Sequence, residues 1–191
     1  MTKMNNAHDN FLVNFVLKGF TSILIGVYIL LGTYLIKILL GDFLAGKKLM
    51  GFIQPQQIED LVLTISFLVF LFSSITLLFS GRKTAEEFRF KLWNGKTKTA
   101  AITYFSLVVL LFFTLYFLNK EGFINLLTPV FLFYYGLMLI VLKSPKSSKL
   151  YALALTCMLL AILCYIIPSY WNSACSILAI GHIIYGMVVR N

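Results

Sequence analysis

The sequence predicts an all-α fold: a polytopic transmembrane helical bundle of six spans, arranged as three hairpins with both termini in the cytoplasm. Three observations carry that expectation. The chain of 191 residues is 60% hydrophobic and only 12% charged, where soluble proteins have roughly 45–50% and about 25%. Its apolar residues fall into six runs of span length. Its sixteen Lys and Arg residues collect beside the gaps between those runs, and they do so unevenly.

The runs cover about residues 20–40, 61–80, 100–118, 123–142, 150–167 and 173–189. An α-helix needs about 17–25 residues to cross roughly 30 Å of hydrocarbon, and each run supplies them. None carries Asp, Glu or Arg in its middle. Each central Leu, Ile, Phe or Val favours insertion by about 0.3–0.6 kcal/mol, against a cost of about 2.5–3.5 kcal/mol for a Lys. Lys37 lies near a run's end, where its stem can reach the interface. The first run exceeds the 7–15 residues usual for a signal-peptide core and reads as a retained anchor. The whole of residues 1–191 is then one transmembrane domain.

The cations set the orientation. With the N-terminus inside, twelve of them (Lys3, Lys18, Arg82, Lys83, Arg89, Lys91, Lys96, Lys98, Lys143, Lys146, Lys149 and Arg190) face the cytoplasm. Four (Lys37, Lys47, Lys48 and Lys120) face outward. That asymmetry is the positive-inside pattern. The formal charge of +9 is thereby accounted for as a rim facing anionic lipid headgroups. No nucleic-acid partner is expected, because no single face gathers the charge.

The connections follow from their lengths. Asn119-Lys120-Glu121-Gly122 joins spans three and four, and Pro168-Ser169-Tyr170-Trp171-Asn172 joins spans five and six. Links so short force antiparallel neighbours. The stretch 41–60 is longer and holds Phe43, Leu44, Leu49, Met50, Phe52 and Ile53, which places it on the membrane surface. Pro55, followed by Glu59 and Asp60, reads as a helix start. On the cytoplasmic side, Thr84-Ala85-Glu86-Glu87 fits a capping box, and Ala85, Phe88 and Leu92 recur at helical spacing. An amphipathic helix over 84–94, stopped by Asn94-Gly95, is expected on the inner headgroups with Trp93 as its anchor. Phe88, Leu92 and Trp93 are accordingly the candidate lipid or partner surface.

Spans four and six end alike. Tyr135-Gly136-Leu137-Met138 and Tyr185-Gly186-Met187-Val188 align at an offset of fifty residues, a pattern compatible with a parallel internal repeat. Small residues four apart, such as Ser22 and Gly26, suit close helix packing. Pro129 falls early in span four, and Pro168 ends span five.

His182 is the candidate functional residue, with Tyr185 beside it on the same helical face. Ionisable groups inside a membrane are functional hypotheses by default. A proton relay or ligand contact would need an acid nearby, and no Asp or Glu lies within a span. The competing expectation is a neutral imidazole bonded across the bundle to a hydroxyl or carbonyl. Cys157, Cys164 and Cys175 all lie in apolar runs at spacings that match no zinc or redox motif and read as buried thiols. His8 and His182 are the only histidines. There is no phosphate loop, no G-x-S-x-G and no H-E-x-x-H, so no catalytic residue, metal site or cofactor is expected.

Four stretches carry a resemblance: LKGFTSILIGVYILLG from Leu17 to Gly32, KLWNGKTK from Lys91 to Lys98, TPVFLFYYGL from Thr128 to Leu137, and GHIIYG from Gly181 to Gly186. Together they resemble a family of uncharacterised six-span bacterial integral membrane proteins. The resemblance implies a multi-pass protein of a bacterial cytoplasmic (inner) membrane. It implies no activity, substrate or site residue. Glu86-Glu87 departs from the otherwise basic cytoplasmic loop.

The expected role is a non-enzymatic accessory, sensor or assembly component. Its partners would be membrane lipids and a membrane protein or second copy of itself. The alternative is a small transporter or channel built by an oligomer, motivated by the possible repeat, His182 and Pro129. An intramembrane enzyme ranks third for want of convergent polar groups.

Overall fold

The computed structural model describes residues 17, 19–46, 54–87, 91–141 and 149–189. Among them there is no strand. Six α-helices follow in order: α1 Gly19–Leu44, α2 Pro55–Glu87, α3 Gly95–Lys120, α4 Leu127–Val141, α5 Lys149–Ile166 and α6 Trp171–Val188. Short 3-10 turns at Ile124–Leu126 and Pro168–Tyr170 precede α4 and α6. Five stretches are long and apolar enough to cross a membrane: Gly19–Leu44, Pro55–Lys83, Gly95–Lys120, Ile124–Val141 and Pro168–Val188. Leu150–Ile166 is apolar but shorter.

The burial pattern is that of a protein whose solvent is hydrocarbon. Phe79, Val109, Phe113, Tyr165 and Ile166 are each more than two-thirds exposed, while Ser22, Thr97 and His182 are fully buried. In water the reverse distribution would be selected. In lipid an outward Phe costs nothing, and an inward hydroxyl finds a partner it could not find outside.

The helices form a ring in which neighbours in sequence are neighbours in space, and α1 closes the ring against α6. The largest interfaces are α1 with α6 and α4 with α5; among helices adjacent in sequence, α2 and α3 touch least. The helices of each expected hairpin are neighbours in this ring, but the two largest interfaces lie between hairpins. Gly19 N–H donates to the Val189 carbonyl at 3.1 Å, so the start of α1 and the end of α6 share one end of the bundle. Lys120 and the 3-10 turns mark the other.

Glycine decides where helices approach most closely. A Cβ on Gly26 would lie 2.6 Å from the Ala179 carbonyl oxygen, and one on Gly186 would lie 2.6 Å from that of Gly19. These two glycines let the α1 and α6 backbones meet, as small residues do in membrane interfaces. Gly136 nests α4 on α5 more loosely, with Met158 Cε at 3.1 Å from the same construction. The Tyr-Gly pairs fifty residues apart thus share a design: each tyrosine is buried, and each glycine faces a neighbouring helix. Hydroxyls add interhelical bonds, Thr21 to Ser80 at 2.7 Å between α1 and α2, and Ser74 with Tyr104 at 2.8 Å between α2 and α3.

The segment 84–94 differs from expectation. Thr84 to Glu87 are the last turn of α2, continuous with the apolar run, so no helix starts at Thr84. Asn94-Gly95 starts a helix instead of stopping one. Asn94 is extended (φ −83°, ψ 169°), and its side chain accepts the Thr97 N–H at 2.7 Å. Asn suits either end of a helix; here the N-cap bond wins because Lys96, Thr97 and Lys98 continue straight into the apolar run. Leu92 and Trp93 form a bend leading into that cap, Leu92 half-buried and Trp93 exposed, while Phe88 lies outside the described residues. Arg82 and Glu86 pair at 2.8 Å on the exposed face of α2.

Residues 41–44, expected on the membrane surface, continue α1 instead, and 47–53 lie outside the described residues. Pro55 does open α2. Gln57 Oε1 accepts the Gln54 N–H at 3.0 Å, satisfying one of the donors that a helix start leaves free.

Candidate functional site

The site begins with a position on α6. Ala179, His182 and Gly186 share one face at helical spacing, and that face meets α1 at Gly26 and Ile23. Close backbone approach carries the His182 ring past α1 and into the middle of the bundle, where it is fully buried. It lies six residues, about 9 Å, before the last residue of α6 and closer still to the middle of that helix.

Two side chains meet the ring. Ser22 Oγ of α1 lies 3.2 Å from Nδ1, and Tyr135 Oη of α4 lies 2.7 Å from Nε2. Ser22 Oγ also donates to the His182 carbonyl at 2.8 Å. A hydroxyl has one proton. Because a carbonyl can only accept, that proton is committed, and Ser22 Oγ must accept from Nδ1–H. Nε2 is then the bare nitrogen, and it accepts the Tyr135 O–H. The bonding direction runs from Tyr135 to His182 to Ser22 and back to the α6 backbone. Every polar atom of the neutral ring is satisfied inside one chain.

Aromatic rings complete the enclosure. Phe70 of α2 stands edge-on to Tyr135 with centroids 5.8 Å apart, to Phe131 at 5.7 Å and to Phe112 of α3 at 5.5 Å. Tyr135 in turn stands edge-on to His182 at 5.6 Å. Such contacts add about 0.5–1.5 kcal/mol each beyond area burial, and they link four helices around one imidazole.

A serine next to a histidine invites comparison with a nucleophile and its base. The geometry does not arm it. A general base must accept the hydroxyl proton, whereas His182 donates to Ser22, and both residues have 0% exposure. Among the described residues no acid reaches the ring: Asp42, Glu59, Asp60, Glu86 and Glu121 lie at helix ends or in the turn after α3. Among the described residues no group of three His, Cys, Asp or Glu side chains could hold a metal.

Of the two candidate site residues, His182 is at the centre, and Tyr185 follows it by three residues on α6. Tyr185 is buried on the next turn, but the tyrosine that bonds the ring is Tyr135, forty-seven residues earlier. Ser22 and Tyr135 are the residues sequence reasoning missed as site members. The signal was the pair of matching Tyr-Gly steps, which marks Tyr135 as inward-facing, but nothing in the sequence relates Ser22 to His182. Leu92 and Trp93 stand apart from the site, in the bend before α3. Cys157 and Cys164 are buried, and Cys175 is half-buried.

The fold and site together define a helical membrane bundle with a sealed polar clasp. Comparisons with protein families, with curated proteins and with solved structures find no match to this chain.

Proposed function

We propose that this chain is a six-span protein of a bacterial cytoplasmic (inner) membrane, with both termini inside. In this reading it acts without catalysis, as an accessory, sensor or assembly component built around helix packing. The observation that carries the role is the use of His182. A transporter would need this residue exposed to a water-filled path, and its donor and acceptor are instead spent on Ser22 and Tyr135.

Six crossings are supported by closure of the ring. Five crossings would put the start of α1 and the end of α6 on opposite sides of the membrane, whereas Gly19 and Val189 are hydrogen-bonded. The seventeen residues of Leu150–Ile166 therefore also cross, at the short end of the range that spans about 30 Å. The cation count puts the Gly19–Val189 end in the cytoplasm.

Two experiments test the reading. In intact cells, Lys120→Cys should react with an impermeant thiol reagent and Lys96→Cys should not until the cells are opened; the reverse labelling overturns the topology. In proteoliposomes, wild-type protein should pass no common ion or metabolite faster than protein-free vesicles do. A robust flux that His182→Ala abolishes would refute the accessory role in favour of an oligomeric transporter.

A further inference from the structure

The outer face of α3 holds an open groove of about 790 Å³. Ile102, Phe105, Val109 and Phe113 recur along it at helical spacing, each half exposed or more. The opposite side of the helix, with Tyr104, Leu111 and Leu115, is buried in the bundle. Among the described residues only the stretch 93–113 lines the groove. Its polar end is made by Trp93, in the bend before α3, and by Lys98, one turn into the helix.

Charge and length select what covers this face. The first turn of α3 carries Lys96 and Lys98, and no Asp or Glu occurs anywhere in Gly95–Lys120. Among the described residues no acid pairs with Lys98, and Glu86 near the end of α2 is taken by Arg82 at 2.8 Å. The charge at the groove's end is left for a partner outside the chain. From Lys98 to Phe113 the helix rises about 22 Å. One leaflet supplies about 15 Å of hydrocarbon, half of a core roughly 30 Å thick. The groove therefore runs the depth of a leaflet, from a cation and an indole at the headgroups to apolar side chains at the midplane.

We propose that this groove holds one anionic phospholipid, its phosphate at Lys98 and one acyl tail along Ile102, Phe105, Val109 and Phe113. Charge complementarity decides between a lipid and a second copy of the chain. An isologous dimer through this face would set Lys98 against its own symmetry mate, with no acid on α3 to separate the two. An anionic headgroup neutralises the same ammonium. A tail alone gains little, since lipid is as apolar as the helix it meets. The headgroup supplies the preference, and the groove fixes where the tail beneath it lies. The site needs only that α3 crosses a membrane, so it stands whichever side Lys98 faces and whether or not the accessory role holds.

Trp93 provides the readout. The chain has two tryptophans, so Trp171→Phe leaves the groove's indole as the sole emitter. The full chain is held, one copy per nanodisc, in phosphatidylcholine. Phosphatidylglycerol or phosphatidylcholine, brominated near the carboxyl end of a tail, is then titrated in as a quencher. Phosphatidylglycerol should quench Trp93 half-maximally at a mole fraction about fivefold below phosphatidylcholine, the factor one lysine at an anionic surface supplies. Lys98→Arg should keep that gap. Lys98→Gln should close it, and so should Ser106→Phe, which fills the groove. Equal quenching of the parent protein by both lipids would overturn the proposal, as would a gap that persists in monodisperse Lys98→Gln or Ser106→Phe protein. A second copy is tested by Val109→Cys in phosphatidylglycerol vesicles. A short thiol cross-linker should join it no faster than Ile162→Cys, on the exposed face of α5; faster joining would assign the groove to a dimer and overturn the lipid site.

Discussion

Ser22 and His182 stand 160 residues apart in the chain and are joined twice, through the imidazole Nδ1 at 3.2 Å and through the His182 carbonyl at 2.8 Å. The second bond fixes the sense of the first, because the serine has one proton to give. The pair pins the first helix to the last and presents Nε2 to Tyr135 as an acceptor. One tautomer of one buried ring therefore holds α1, α4 and α6 in register.

That arrangement makes Ser22 and Tyr135 energetically coupled although no bond between them is recorded. Ser22→Ala and Tyr135→Phe should each destabilise the protein by about 1 kcal/mol, the scale of hydrogen bonds between membrane helices. The double variant should depart from the sum by about 0.5 kcal/mol or more, as residues in one network do. Unfolding in mixed micelles by denaturing detergent measures all three; strict additivity would mean that the ring does not transmit the bond.

Glycine substitutions should rank by what a methyl group would meet. Gly26→Ala and Gly186→Ala push into backbone oxygens at 2.6 Å and should cost about 1–3 kcal/mol, the range for overpacking. Gly136→Ala meets Met158 Cε at 3.1 Å, the end of a side chain that can yield, and should cost less. Gly41 lies in α1 with nothing within 4 Å, so Gly41→Ala should be neutral or stabilise by up to about 1 kcal/mol. Thermal midpoints of the four variants would test the order, and a Gly26→Ala protein as stable as wild type would break it.

Asn119 predicts a gain. Replacing a buried polar group that has no partner with an apolar one of similar shape removes a desolvation cost of about 1–3 kcal/mol. Asn119→Leu protein should therefore melt above the wild type. A lower midpoint would show that the amide is bonded in solution.

The cap of α3 gives a local test. Asn94 accepts the Thr97 N–H at 2.7 Å, and Asn94→Ala should cost about 1 kcal/mol. Asn94→Asp, which keeps the acceptor, should restore most of it. Equal loss in both variants would indicate that the bend at Leu92 and Trp93, and not the cap, holds the start of α3.

Much of the bundle was legible before any coordinates, for a local reason. Whether a segment such as Gly19–Leu44 becomes a helix in lipid depends on its own length and apolarity, because every backbone group must bond within the segment. The start at Pro55 and the turn at Glu121-Gly122 were equally local. The segment 84–94 differs from its sequence pattern because α2 continues through Thr84 to Glu87, and Asn94 serves a start as readily as a stop. His182 was visible as an oddity, since an ionisable side chain is rare in such a run.

What the sequence determined by itself is where helices form and that hydrocarbon surrounds them. What only the tertiary structure decided is which faces meet: α1 with α6, α4 with α5, and His182 with Ser22 and Tyr135. In water a helix shows its buried stripe by amphipathicity. In lipid the outer face is as apolar as the inner, so pairing rests on the fit of a few glycines and hydroxyls, and their partners are found by shape, which hydropathy does not record.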